Sequence, residues 1–169
     1  STTLKNIKAL ILSDNKLTDN SLKLLVQSSN FCQLESLDIG WMEAGNETAK
    51  ALGKSDTLQH LKKLELERSY VDLEGVQALV DGKIAGNLEE LNLVANKFGD
   101  AGAKVIAGAA NLKNLKVLNL SQNMIGDEGA KAIGASTQLS GLTHLYLGRN
   151  EFGPEGAKEI HQTILLRFG

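Results

Sequence analysis

The chain has one cysteine, Cys32, so no intrachain disulfide can form and packing must supply the stability. A lone thiol fits a reducing, intracellular setting. Aromatics make up 4% of the 169 residues, which forces any core to be aliphatic. The strong basic stripe of a nucleic-acid or membrane binder is missing, since the net charge is −2. No run approaches the roughly 18 apolar residues of a membrane span, and no signal peptide is visible. The first residue is Ser1 rather than methionine, which raises the expectation of a processed chain or a piece of a longer protein. What is plentiful is aliphatic side chain. Hydrophobic residues are 42% of the chain, enough for one soluble domain with a continuous core.

Those residues repeat. Ile7, Leu34, Leu61, Leu88, Leu115 and Leu142 are spaced by 27 residues and open six units. Three residues on stand Leu10, Leu37, Leu64, Leu91, Leu118 and Leu145, and two further Leu12, Ile39, Leu66, Leu93, Leu120 and Leu147. Then come Asn15, Met42, Ser69, Asn96, Asn123 and Asn150, followed by Leu17, Ala44, Val71, Phe98, Ile125 and Phe152. The phase never slips.

Each unit changes period halfway. The leucine-x-leucine half alternates and predicts a strand. The second half, clearest from Gly126 to Ile133 and from Gly153 to Ile160, predicts a helix. Asp127 stands where an N-cap is expected, and Pro154 where a first-turn proline is tolerated. Ala49, Ala103, Ala130 and Ala157 would let helix approach sheet. Gly75, Gly102, Gly129 and Gly156 cost about 1 kcal/mol each against alanine, which marks them as sites of tight packing. Phe31, Leu58, Leu112, Leu139 and Leu166 anchor the return to the next strand.

The pattern L-x-x-L-x-L-x-x-N-x-L/I followed by G-D-E-G-A resembles the ribonuclease-inhibitor-like class of leucine-rich repeats. That class includes ribonuclease inhibitors, Ran GTPase-activating proteins and the sensing regions of NOD-like receptors. Similar repeats occur in effectors of intracellular bacteria, and such an effector would be delivered into a host cell. The resemblance covers nearly the whole chain. It implies an α/β fold, a right-handed solenoid or horseshoe of six strand-loop-helix repeats. Its parallel sheet would line the concave face and its helices the convex face, in one domain over residues 1–169. It also implies an asparagine ladder bonding adjacent turns, which Asn15, Asn96, Asn123 and Asn150 match. Met42 departs from that ladder, and Ser69 matches it weakly. Leu4 fits the last apolar slot of a preceding unit, so some truncation at the N-terminus is expected. The run from Ile160 to Phe168 reads either as a capping helix or as the edge of a longer array.

Fold does not fix function, so the surface has to be read separately. Side chains flanking the inward leucines form columns about 4.8 Å apart across the sheet. They put Asp38, Glu65, Glu67 and Glu90 on the middle coils, with Asp38 and Glu65 as unfavourable like-charged neighbours. Lys63 offsets part of this beside Glu90. The only tryptophan, Trp41, falls near Arg68 and Tyr70, residue types enriched at binding hot spots. Asn92, Asn119, Tyr146 and Arg149 complete the candidate face. These are also the coils that leave the asparagine pattern, and local rule-breaking is expected where function competes with fold. The plainer reading stays open: exposed charges serve solubility, and Trp41 covers a gap around Met42.

Other motifs fall away. Gly53-Lys54-Ser55 looks like the end of a phosphate loop, but Thr48 stands where the upstream glycine is needed. Cys32 has no evident base or cationic neighbour, which reads as a buried or incidental thiol. His60, His144 and His161 lack ligand spacing, so no metal is expected. The acidic cluster would lie on an open wall that cannot exclude water, which argues against glycoside chemistry. The column Lys23, Lys50, Lys104, Lys131 and Lys158 is a solvated helix face, because Glu47, Glu128 and Glu155 precede three of these lysines by three residues and should pair with them.

The sequence therefore points to a non-catalytic, monomeric protein–protein interaction module. Its expected partner is a protein with a basic surface, without nucleic acid, membrane, cofactor or metal. Two alternatives stand beside it: a GTPase activator of the Ran-regulator type, and a structural segment that assembles through its ends.

Overall fold

A computed structural model describes residues 4–168, with side chains through His161. Six three-residue strands alternate with six helices. The strands are β1 (Ala9–Ile11), β2 (Ser36–Asp38), β3 (Lys63–Glu65), β4 (Glu90–Asn92), β5 (Val117–Asn119) and β6 (His144–Tyr146). The helices are α1 (Asp19–Val26), α2 (Asn46–Gly53), α3 (Leu73–Val80), α4 (Gly99–Ala107), α5 (Asp127–Ala135) and α6 (Pro154–Phe168). The strands pair in parallel in chain order, and every partner is the residue 27 positions on, as in Leu37↔Leu64 and Leu64↔Leu91. The sequence phase is thus the sheet register. Leu37, Leu64, Leu91 and Leu118 lie in the core between sheet and helices. Leu10 and Leu145, on the two outermost strands, are only half-buried because each has a neighbouring coil on one side. Of the return anchors, Leu58, Leu112 and Leu139 are buried and Phe31 is half-buried. Leu166 lies outside the described side chains.

Neighbouring coils are stapled by polar side chains as well as by packing. Asn123 is fully buried, and its Oδ1 accepts from the Asn96 and Lys97 amides of the coil before. Its Nδ2 donates back to the Leu93 and Ser121 carbonyls. Asn96 and Asn150 repeat the scheme, bonding Ser69 and Val71, and Asn123 and Ile125, respectively. Asn15 does not take part: its amide donates only within its own turn, to Leu12 and Ser13, because no described coil precedes it. Ser69 keeps half of the role, donating to the Ile39 carbonyl, and Met42 is simply buried.

Asp127 is not the cap of its own helix. It is the first residue of α5, with Gly126 at the cap position, and its carboxylate reaches forward to accept from Gly153 and Gly156 at the start of α6. Asp100 does the same for Gly126 and Gly129, and Asp19 for Thr48. The starts of α2, α3, α5 and α6 are therefore bonded by the first turn of the helix before them. This explains Gly75, Gly129 and Gly156, whereas at Gly102 a methyl would meet the Phe98 side chain. A methyl on Gly129 would lie 2.6 Å from the Asp100 carboxylate and 3.0 Å from the Ala103 methyl. Ala49, Ala103 and Ala130 face such glycines, whereas Ala157, on the outermost described helix, is exposed.

Two sets of ion pairs run along the surface. On the edge where chains rise into the strands, Lys8 meets Glu35 at 2.8 Å, Lys62 meets Glu35 at 3.9 Å, and Lys116 meets Glu89 at 2.6 Å. The lysines hold the Glu35 and Glu89 carboxyls below their ordinary value, chiefly by hydrogen bonding. On the helices, Lys50 binds Glu47 and also reaches Glu74 of the next helix, and Lys131 and Lys104 both reach Glu128. Among the described residues, Glu155 and Lys158 form no such pair, contrary to the sequence expectation.

Candidate partner-binding face

Every coil leaves the sheet through a residue in the left-handed region. Asp14, Trp41, Arg68, Ala95, Gln122 and Arg149 have φ between 49 and 60°. None is glycine, so each conformation costs about 1 kcal/mol. Backbone pairing holds the first five there, since the Trp41 amide donates to the Glu67 carbonyl, the Arg68 amide to Val94, and so on along the stack. The strain belongs to the repeat as a whole. Its consequence is that these side chains are thrown onto the rim beside the sheet.

Coils two and three exploit that rim differently from the rest. The Arg68 guanidinium lies 4.1 Å above the Trp41 ring, and the indole remains 48% exposed. Such a contact is worth about 0.5–1 kcal/mol at an exposed site and holds two long side chains in place before any partner arrives. Tyr70, also left-handed at φ 53°, stands 75% exposed beside them. Together with Asp14, Met42 and Glu43 these residues line an open trough of about 580 Å³. Arg68 and Tyr70 are shared with a second hollow of about 360 Å³ that continues past Ala95 to Lys97 and Gln122. Trp41 and Met42 line the same trough, the indole at the surface and the thioether buried beneath it.

On the sheet itself, Lys63 sits between Glu65 at 3.3 Å and Glu90 at 3.1 Å. Its pKa is raised, first by the hydrogen bond it donates to Glu90. Asp38 and Glu65 are lateral partners, yet their repulsion is relieved. The Asp38 carboxylate accepts from the Gly40 amide and the Ser13 hydroxyl, each at 3.1 Å, while Glu65 has Lys63. Asn92 and Asn119 fold back in the same way onto the Val94 and Ser121 amides, so they brace the strand ends as well as facing outward. Glu67 has no ion-pair partner among the described residues and is the free carboxylate of the group.

The sequence-derived candidates thus divide. Trp41, Arg68 and Tyr70 converge on one trough, and Glu65 and Glu90 converge on Lys63. Asn119, Tyr146 and Arg149 stand on coils five and six, apart from these. There Tyr146 stacks on His144, with ring centroids 6.4 Å apart. Sequence reasoning missed the alternating edge column Lys8, Glu35, Lys62, Glu89 and Lys116, although its 27-residue spacing was a readable signal. Gly53-Lys54-Ser55 is structural: Gly53 ends α2 against α3, and the buried Ser55 hydroxyl donates to the Val26 carbonyl. Cys32 is exposed rather than buried. No cluster of three or more His, Cys, Asp or Glu side chains that could hold a metal occurs among the described residues, and no described helix is long and apolar enough to cross a membrane.

Comparison with known proteins agrees with this architecture. Residues 3–26, 87–107, 111–134 and 140–160, together just over half of the chain, match the sequence model of a family described as Leucine Rich repeat. No curated protein matches. Among solved structures, an internalin from Listeria monocytogenes superposes with a TM-score of 0.65 at 24% identity. The match covers 94% of this chain but 47% of the internalin, so the chain spans about half the length of that relative. At this identity the likeness speaks for the fold.

Proposed function

The chain belongs to the leucine-rich-repeat family, and from that premise we propose that it is a non-catalytic binding module of the ribonuclease-inhibitor-like class. It holds a protein partner on its concave face and the adjoining rim of coils two and three. The observation that carries this reading is the Trp41–Arg68 stack beside exposed Tyr70, around one trough. Large, partly pre-ordered aromatic and guanidinium groups lose little entropy on binding and dominate interface energetics. A six-strand wall offers room for the roughly 800 Å² per partner of a standard interface. The free Glu67 carboxylate, with Asp38, Glu65 and Glu90 against Lys63, favours a partner with a basic surface.

An affinity capture comparing the native chain with a Trp41→Ala, Arg68→Ala, Tyr70→Ala variant tests the proposal, with folding of the variant checked by circular dichroism. A partner held by the native chain should be lost by the variant, and charge reversal at Asp38, Glu65 and Glu67 should weaken it further. Equal retention by all three chains would move the site elsewhere.

A further inference from the structure

The second hollow on the rim, about 360 Å³, differs in charge from the trough beside it. Arg68, Tyr70, Ala95, Asn96, Lys97 and Gln122 line it, with two cations and no carboxylate among them. Glu67 precedes Arg68 in the chain but is not part of the lining. The trough, in contrast, carries Asp14 and Glu43 as well as Lys16.

The backbone shapes this hollow. Coils three, four and five each have a second left-handed residue, Tyr70, Lys97 and Met124, with φ between 53 and 64°. Lys16, Glu43 and Glu151, at the same position of the other coils, are not left-handed. The hollow lies between the two left-handed columns, with Arg68, Ala95 and Gln122 on one side and Tyr70 and Lys97 on the other. Ala95 is the smallest side chain of its column, so space stays open where a longer one would lie.

The donors around that space are unspent. The Arg68 guanidinium is held over the Trp41 ring, yet it makes no ion pair and no side-chain hydrogen bond among the described residues. The Lys97 ammonium, the Tyr70 hydroxyl and the Gln122 amide make none either. A guanidinium fixed by stacking keeps its N–H groups for an oxyanion and loses little freedom when one arrives.

We propose that this hollow is a phosphoryl-binding subsite. A phosphoryl group brings a charge of about −2 and three acceptor oxygens. That matches two cations without a competing carboxylate, supported by the neutral donors of Tyr70 and Gln122. The subsite rests on the proposed binding face only in sharing Arg68 and Tyr70 with it. Its group belongs either to a phosphorylated side chain of the protein partner or to free phosphate.

The test is an NMR titration of the full chain with inorganic phosphate, with a phosphoserine peptide, and with the same peptide carrying glutamate instead, at an ionic strength held constant with chloride. Phosphate should give saturable shifts at the Ala95 methyl and the Gln122 side-chain amide, which chloride should not. Lys97→Gln should weaken binding about fivefold. Ala95→Gln should abolish it by filling the hollow. The chain already carries glutamine on that backbone conformation, since Gln122 has φ 58° against 59° at Ala95, so the fold is kept. Tighter binding of the phosphoserine peptide than of phosphate assigns the group to a partner chain, and equal or weaker binding assigns it to free phosphate. The absence of saturable shifts, shifts equalled by chloride, or phosphate binding that survives Ala95→Gln would overturn the proposal. Equal binding of the glutamate peptide would overturn it in favour of a plain carboxylate. Ala95 and Lys97 do not line the trough, so partner capture there persists in both variants and stands or falls separately.

Discussion

Coils two and three and coils four to six are built on one 27-residue plan but are held together differently. In the later coils, Asn96, Asn123 and Asn150 bond across every junction, and Asp100 and Asp127 cap the following helix. In coils two and three, Met42 and Ser69 stand in the ladder, Leu73 stands at the capping position, and Trp41, Arg68 and Tyr70 gather on the rim. The family model matches within coils one, four, five and six and passes over residues 27–86, the stretch that holds coils two and three. The strand leucines of those coils are nonetheless as buried as the others. Strand pairing and apolar packing carry more of the register there, with Ser69 keeping one ladder bond, to the Ile39 carbonyl, which leaves the remaining polar positions open to other uses. The aromatic trough and the hollow beside it both draw on this stretch.

Breaking the regular half should have the largest effect. Asn123→Ala would leave the Asn96 and Lys97 amides without partners, at a cost of about 3 kcal/mol in denaturant unfolding; a loss below about 1 kcal/mol would mean that water replaces the ladder. Gly53→Ala tests close helix approach instead, because the new methyl would run into the Ala78 carbonyl. Overpacking of this kind costs about 2 kcal/mol, and a calorimetric midpoint that does not fall would show that α2 and α3 can move apart. Asp127→Ala should cost about 1 kcal/mol by freeing the Gly153 and Gly156 amides, with faster amide exchange confined to the start of α6.

The opposite manoeuvre repairs the irregular half. Ser69→Asn restores a ladder residue and should gain up to about 1 kcal/mol. Unchanged or lower stability would show that the junction between coils two and three has been respaced around Met42. The smallest effect belongs to the edge ion pairs. Glu35 and Glu89 have lowered pKa values in the folded protein, so their contribution is present above the ordinary value of 4.5 and is lost as pH falls through the lowered values. Thermal unfolding should shift slightly downward in that window, and less so in high salt, since the groups are exposed. A shift insensitive to salt would point to buried carboxylates instead.

Much of the fold was legible because Leu10, Leu37, Leu64 and their equivalents recur at one spacing. A constant spacing of apolar residues leaves a parallel stack as the arrangement that buries all of them. The candidate face was legible only as columns, since strand alternation says which side chains point outward but not which meet. That Lys63 lies between Glu65 and Glu90 was half-visible from the register. That Arg68 stacks on Trp41 was not, because left-handed backbone at non-glycine residues carries no local signature. Asp127 was misread for a related reason. An aspartate before a helical run looks like a local cap, and nothing in the chain shows that its nearest free amides belong to the next coil.

By itself the sequence determined the repeat length, the alternation of strand and helix, and the aliphatic core, because these depend on periodicity along the chain. The tertiary structure decided which amides each Asn and Asp side chain satisfies, how the rim residues of coils two and three form one trough, and that a hollow opens over Ala95 beside it. Those outcomes depend on distances between residues 25 to 30 positions apart, and these distances exist only once the coils are stacked.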